Sequence, residues 1–144
     1  MVEERDGRPC LVDYKTSANR AGYQIRLKKL VLEDRATWGT AIPTIQLPFY
    51  VLLHSADTIA DPVDIQAMFL LLGRTELDEG IELPLFDDSA MAKDAWPLLS
   101  EVITRLLQEI VSPDVPFTPA RDLKSACQWC DFTGICGTGW LTQG

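Results

Sequence analysis

Long apolar runs are missing from this chain. No stretch of about 18 uninterrupted apolar residues occurs and no signal-peptide pattern is present, so a soluble, cytoplasmic protein without membrane contact is expected. Histidine is nearly absent: His54 stands alone, and a zinc centre of mixed ligands would have to use it beside thiols. Cysteine is sparse at four residues, three of them crowded between positions 127 and 136. That pattern is not the even framework of a disulfide-stapled secreted domain, and it agrees with a reducing compartment. Internal repeats and low-complexity segments are also lacking. Positive charge is in deficit, with 13 Lys and Arg against 21 Asp and Glu and a net charge of −8, which at first sight opposes a polyanionic partner. The distribution answers this in part. Residues 1–35 carry eight basic and six acidic groups, the remainder five and fifteen, so a nucleic-acid-facing surface is expected in the first third and a solvated acidic surface elsewhere.

What is present is a set of three motifs on a chain of 144 residues, long enough for one compact core. The first is Leu11-Val12-Asp13-Tyr14-Lys15-Thr16, an apolar strand run with an acid and a lysine two residues apart. Side chains repeat every second residue on a strand, so Asp13 and Lys15 share a face and Val12 and Tyr14 point the other way. A carboxylate there can hold a hard cation such as Mg²⁺, while the ammonium positions a water or stabilises charge on a phosphate. The second is Gln46-Leu-Pro-Phe-Tyr50. Its amide and phenol, at i and i+4, share one helix face, and Pro48 is tolerable in a first turn. The third is Cys127-x2-Cys130-x5-Cys136, a thiol spacing that suits a metal centre better than a fold-spanning disulfide.

Together these residues resemble the RecB-like nuclease family of the PD-(D/E)xK superfamily, which includes RecB and AddB nuclease domains and CRISPR-associated exonucleases. The family's strand motif reads Asp-Tyr-Lys-Thr, as at Asp13 to Thr16; its following helix carries Gln-x-x-x-Tyr, as at Gln46 and Tyr50; its iron-sulfur members end in C-x2-C-x5-C. The resemblance implies an α/β fold of restriction-endonuclease type, a mixed central sheet flanked by helices. It implies DNA phosphodiester hydrolysis dependent on Mg²⁺ or Mn²⁺, as the exonuclease of a repair and recombination helicase-nuclease. Asp13 and the Tyr14 carbonyl would be metal ligands, Lys15 would orient the attacking water, and Gln46 and Tyr50 would position DNA. Cys127, Cys130 and Cys136 would ligate a [4Fe–4S] cluster, and DNA and a helicase or other repair-complex subunits would be the partners.

The resemblance also predicts an absence. The family places a further Asp on the strand before the Asp-Tyr-Lys strand, a His or Glu on an earlier helix, and a fourth cluster cysteine upstream. Asp6-Gly7 is a strong two-residue turn, which sets Arg5 opposite Arg8, Val2 opposite Leu11 and Met1 opposite Val12. The partner of Asp13 would then precede Met1, and Glu3 and Glu4 would be solvated hairpin acids. The N-terminal part of the core is therefore expected to be missing, with Cys10 a packing residue rather than the fourth ligand. By itself the chain would be a weak or inactive nuclease with an incomplete cluster, pairing as a homodimer through bare sheet edge. The alternative reading is a non-catalytic, nuclease-derived DNA-binding or subunit-interaction module. A small zinc protein would explain the cysteines and leave the other two motifs unexplained.

Two parts are expected: a nuclease core over 1–120 and a cysteine tail over 121–144. After the hairpin, a short helix is predicted around Gly22 to Leu32, where Arg26, Lys28 and Lys29 are either substrate contacts or ordinary exposed charges. A helix from about Thr44 to His54 is predicted to turn Ile45, Phe49, Leu52 and Leu53 to the core. Strands follow at Asp64 to Gly73 and Gly80 to Phe86, joined by a turn from Glu76. A long helix runs from Ser89 or Asp94 to Val111 with Leu98, Val102, Leu106 and Ile110 as its stripe and Pro97 in its first turn. Pro113, Pro116 and Pro119 end it, and Trp129 and Phe132 are expected to pack near the cysteines.

Overall fold

The computed structural model describes residues 1–73, 79–116, 123–127 and 130–139, without the side chains of residues 79, 124 and 125. Pro119, Trp129 and most of the turn predicted from Glu76 lie outside the described residues. The chain divides into two compact units, Met1–Leu107 and Gln108–Gly144.

The first unit is built on a four-stranded sheet in the order β1-β2-β3-β4. Strand β1 (Val2–Arg5) and strand β2 (Arg8–Lys15) form an antiparallel hairpin. Asp6 and Gly7 both take positive φ, 52° and 71°, as a tight hairpin turn requires. The register is the one the turn predicts, with Arg5 opposite Arg8 and Val2 opposite Leu11. Met1 continues it, exchanging backbone hydrogen bonds of 2.9 and 3.0 Å with Val12.

Strand β3 (Gln66–Leu71) lies parallel to β2, and β4 (Glu82–Pro84) lies antiparallel to β3. The sheet is therefore mixed. Parallel neighbours need a long crossover, and here residues 16–65 supply it, carrying helix α1 (Arg35–Ala41) and helix α2 (Gln46–Thr58). Helix α3 (Ser89–Val111) follows the sheet. Leu11, Phe69, Leu71 and Leu83 from the strands pack with Trp38 of α1, Leu47 and Val51 of α2, and Ala95, Trp96 and Leu99 of α3 in one core. On the opposite sheet face Cys10, Val12 and Met68 form a smaller cluster. This architecture is the expected mixed sheet flanked by helices, and no helix among the described residues is long and apolar enough to cross a membrane.

Several expectations need correction. No α-helix forms over Gly22 to Leu32; two single 3₁₀ turns, Arg20–Gly22 and Leu27–Lys29, take its place. Side-chain bonds to carbonyls hold this segment instead: Arg20 donates to Gly80 and Glu82, and Arg26 donates to Ala21 and Thr40. Helix α1 is short and has no extended apolar periodicity; its sequence signal is Asp34, the N-cap that accepts from the Ala36 N–H at 3.1 Å. Helix α2 buries Leu47, Pro48 and Val51, whereas Ile45 and Leu53 are exposed and only Leu52 of the predicted set packs on the core. Apolar residues surround this helix, so periodicity alone does not single out one face.

Helix α3 begins at Ser89, because Asp88 caps it by accepting from the Met91 N–H at 2.7 Å. Pro97 consequently lies in the helix interior, not in the first turn. The buried stripe is Ala92, Ala95, Trp96, Leu99, Val102 and Ile103, and of the predicted stripe only Val102 is buried. Two alanines belong to the buried stripe, which a count of large aliphatics overlooks.

The second unit contains the end of α3, helix α4 (Leu123–Cys127) and turns through residues 131–137. Phe132 is exposed. Cys10, in the first unit, is fully buried as a packing residue, and burial pushes its thiol pKa upward. Brief alkylation of the native protein, read by mass spectrometry, should therefore label exposed Cys136 well before Cys10, and denaturant should abolish that order.

Candidate active site

Strand alternation brings Asp13 and Lys15 to the core-facing side of β2, shared with Leu11, while Val12 joins the opposite cluster. Both side chains are mostly enclosed, 16% and 17% exposed. The Lys15 Nζ stands 2.9 Å from Asp13 Oδ2 and donates a hydrogen bond of 2.5 Å to Gln46 Oε1. Gln46 Nε2 in turn donates to the Tyr50 hydroxyl at 3.1 Å. The amide orientation is set by its neighbours, since its oxygen must meet the ammonium and its NH₂ the phenol. The four residues expected to meet therefore do so, as one connected chain from the sheet to the surface of α2.

Helix α2 begins at Gln46, whose backbone N–H is held by the Thr44 hydroxyl at 3.3 Å. Pro48 fits the first turn, where its missing N–H leaves no bond unmade. The i to i+4 step then puts Tyr50 directly beyond Gln46, with 43% of its surface exposed. Because Gln46 donates to the phenol oxygen, the Tyr50 proton remains available to a ligand.

Asp13 Oδ2 is buried and makes no hydrogen bond, since its short approach to Lys15 lacks the angle for one. The Lys15 ammonium answers that oxygen electrostatically at 2.9 Å, and the Asp13 carboxylate as a whole lines a hollow open to a ligand. Backbone parity adds a second oxygen: Val12 bonds toward β1 and Lys15 accepts from the Leu72 N–H on the β3 side, so the Tyr14 carbonyl points with Val12's. Two hard oxygens suit Mg²⁺, which keeps several waters. Among the described residues no three His, Cys, Asp or Glu groups converge as a metal cage. A hollow of about 250 Å³ opens beside Asp13, lined also by Leu47, Tyr50 and His54.

The other candidates fall elsewhere. Glu3 pairs with Arg5, which also reaches Glu82 at 2.8 Å, so this acid serves the hairpin edge. Arg26 is committed to backbone carbonyls, while Lys28 and Lys29 are exposed. In the second unit Cys127 is buried, Cys130 half-buried and Cys136 exposed. These three thiols are not gathered into a cage, so their arrangement does not fit a bound cluster as it stands.

Beyond Lys15 the two parallel strands stay close. A Cβ at Gly73 would lie 2.2 Å from the Thr16 carbonyl oxygen and 2.8 Å from the Ser17 carbonyl carbon, contacts only glycine avoids. Gly73→Ala is expected to displace the Thr16–Ala18 backbone next to Lys15 at a cost of about 1–3 kcal/mol. Urea denaturation with a cleavage assay checks this, and a variant of unchanged stability and activity would refute it.

The sequence pattern of the PD-(D/E)XK nuclease superfamily matches residues 1–137. The chain belongs to that superfamily. Asp13-Tyr14-Lys15 reads as the (D/E)XK half of the superfamily's name, on the strand where the connected side chains begin. The mixed sheet and its flanking helices agree with the restriction-endonuclease-like fold. No curated protein and no solved structure matches the chain. Tyr23 and Phe69, whose ring centres lie 5.6 and 5.7 Å from the Lys15 ammonium, stand outside any spaced motif, so the sequence carries no signal for them.

Proposed function

We propose that this PD-(D/E)XK domain hydrolyses DNA phosphodiester bonds with Mg²⁺ or Mn²⁺, and that it is of the RecB-like type, an exonuclease module working with a helicase or other repair-complex subunits. The observation that carries the reading is the unbroken contact chain Asp13–Lys15–Gln46–Tyr50, which joins the strand motif to the helix motif. A purely structural remnant has no need to keep an enclosed lysine bonded to an amide that presents a phenol to solvent.

In this reading the Asp13 carboxylate and the Tyr14 carbonyl would hold the metal ion, which would supply Lewis-acid polarisation of a phosphoryl oxygen when bound. Lys15 keeps protons beyond the one given to Gln46, and it orients the attacking water or stabilises charge on the phosphate. Gln46 holds that ammonium in place. Tyr50 donates to a backbone phosphate of the strand being cut, a contact that positions without reading sequence. Residues 1–120 would form the nuclease part and 121–144 the cysteine tail. The cluster reading of Cys127, Cys130 and Cys136 rests on their spacing, and iron and sulfide quantification after anaerobic purification tests it.

The deciding experiment incubates the purified protein with linear duplex and single-stranded DNA, with and without Mg²⁺ or Mn²⁺. Weak but metal-dependent release of nucleotides is expected from DNA ends, since the site offers a metal ion few protein oxygens. Tight DNA binding without cleavage, in metal and in chelator alike, would replace this reading with that of a non-catalytic DNA-holding module.

A further inference from the structure

Lys15 has a second set of neighbours that the contact chain to Gln46 does not use. Its Nζ lies 5.6 Å from the centre of the Tyr23 ring and 5.7 Å from that of Phe69. Both distances fall within the range at which an ammonium is drawn to an aromatic face. The two rings are themselves in contact, with centroids 5.0 Å apart and planes inclined by 36°. The ammonium thus has two polar neighbours, Asp13 and Gln46, and two aromatic ones that touch each other.

The two rings come from unrelated parts of the chain. Phe69 is fully buried on β3, in register with Asp13. Tyr23 ends the first 3₁₀ turn, where its N–H bonds to the Arg20 carbonyl at 3.0 Å, and it packs against the main core from a partly exposed position. That turn is pinned from two directions. Arg20 donates to the Gly80 carbonyl at 2.7 Å, and Arg26 donates to the Ala21 carbonyl at 2.7 Å. Basic side chains of the first third are thereby used to set the loop that delivers Tyr23.

We propose that Tyr23 is a positioning residue for Lys15: with Phe69 it forms an aromatic seat that confines the ammonium to the place where Asp13 and Gln46 meet it. A lysine side chain is long and freely rotating, and it is useful at a reacting phosphate only when its nitrogen stays in one place. The seat supplies that confinement without adding a hydrogen bond, so the ammonium keeps its remaining protons for water or phosphate. The ring and not the hydroxyl makes the contact, so phenylalanine should replace Tyr23 and an aliphatic residue should not. The functional half of the proposal rests on the nuclease reading; the seat itself does not.

The test has two arms on the whole chain. In the first, protein carrying ¹³C-lysine is examined by NMR, with the Lys15 signal assigned by its loss in Lys15→Arg. Ring currents should move the Lys15 ε protons upfield in the wild type and in Tyr23→Phe, and Tyr23→Leu should return them toward the ordinary lysine position. Nuclear Overhauser contacts between those protons and the Tyr23 ring are expected in the wild type. Their absence, with an unshifted signal, overturns the seat without need of any variant, so a misfolded Tyr23→Leu does not spare it. In the second arm, Tyr23→Leu should lower kcat for Mg²⁺-dependent DNA cleavage about tenfold with KM nearly unchanged, and Tyr23→Phe should restore it. Equal kcat in both variants, or a loss confined to KM, would overturn the positioning role. A wild type that binds DNA and never cuts it would count against the nuclease reading, while the NMR arm still decides on the seat.

Discussion

Asp13→Asn should lower metal-dependent DNA cleavage by about 10²-fold to 10³-fold, the scale of losing one electrostatic partner at a reacting centre. The substitution keeps the side chain's shape and leaves an oxygen to face Lys15 at the 2.9 Å position, so folding should survive. What it removes is the negative charge on a buried oxygen that has no hydrogen-bond donor. Lys15→Ala should lower cleavage to a similar extent and for a different reason, and it should also lower the melting temperature, because it strips the cation from an enclosed carboxylate. The double variant should be scarcely worse than either single one, since the two groups act as a unit. Single-turnover cleavage assays with circular dichroism measure both effects. A folded Asp13→Asn protein that cuts at the wild-type rate would remove Asp13 from the site.

Phe69→Ala should cost about 3–5 kcal/mol of stability, the usual loss for a fully buried aromatic. Phe69 is inaccessible to solvent, packs in the main core and contacts Tyr23. For a chain of this size such a loss lowers the melting temperature by on the order of 10 °C. Phe69→Leu keeps most of the volume and should cost much less. The pair separates cavity formation from ring loss: both variants lack the ring beside Lys15, and only alanine leaves a large void. Equal stability of the two in urea denaturation would show that the Phe69 site collapses around the missing atoms.

The hairpin was legible because its determinants are local. Asp6-Gly7 leaves essentially one turn geometry, and that turn sets every pairing from Arg5–Arg8 to Met1–Val12. The side on which Asp13 and Lys15 project follows from strand parity, and the pairing of Gln46 with Tyr50 follows from helix periodicity. Helix faces were harder, for reasons visible in particular residues. The face of α3 begins with Ala92 and Ala95, small residues that a count of large aliphatics passes over, and the face of α2 is chosen by the sheet beneath it. Two helix starts carried readable caps, Asp34 and Asp88, that a hydrophobic count passes over. Tyr23 was invisible in principle, since its place beside Lys15 depends on long-range bonds from Arg20 to Gly80 and Glu82.

The parallel pairing of β2 with β3 has a kinetic consequence. A two-residue hairpin closes within about 1–10 μs, so β1 and β2 can associate early and on their own. Asp13 and its register partner Phe69, by contrast, are 56 positions apart in the chain, and their meeting must wait for that loop to close around both crossover helices. Lys15 therefore remains mobile and solvated through the early stages of folding. Its charge becomes confined only once that long-range closure has occurred, and a local opening that parts β3 from β2 in the native protein would return the lysine to water.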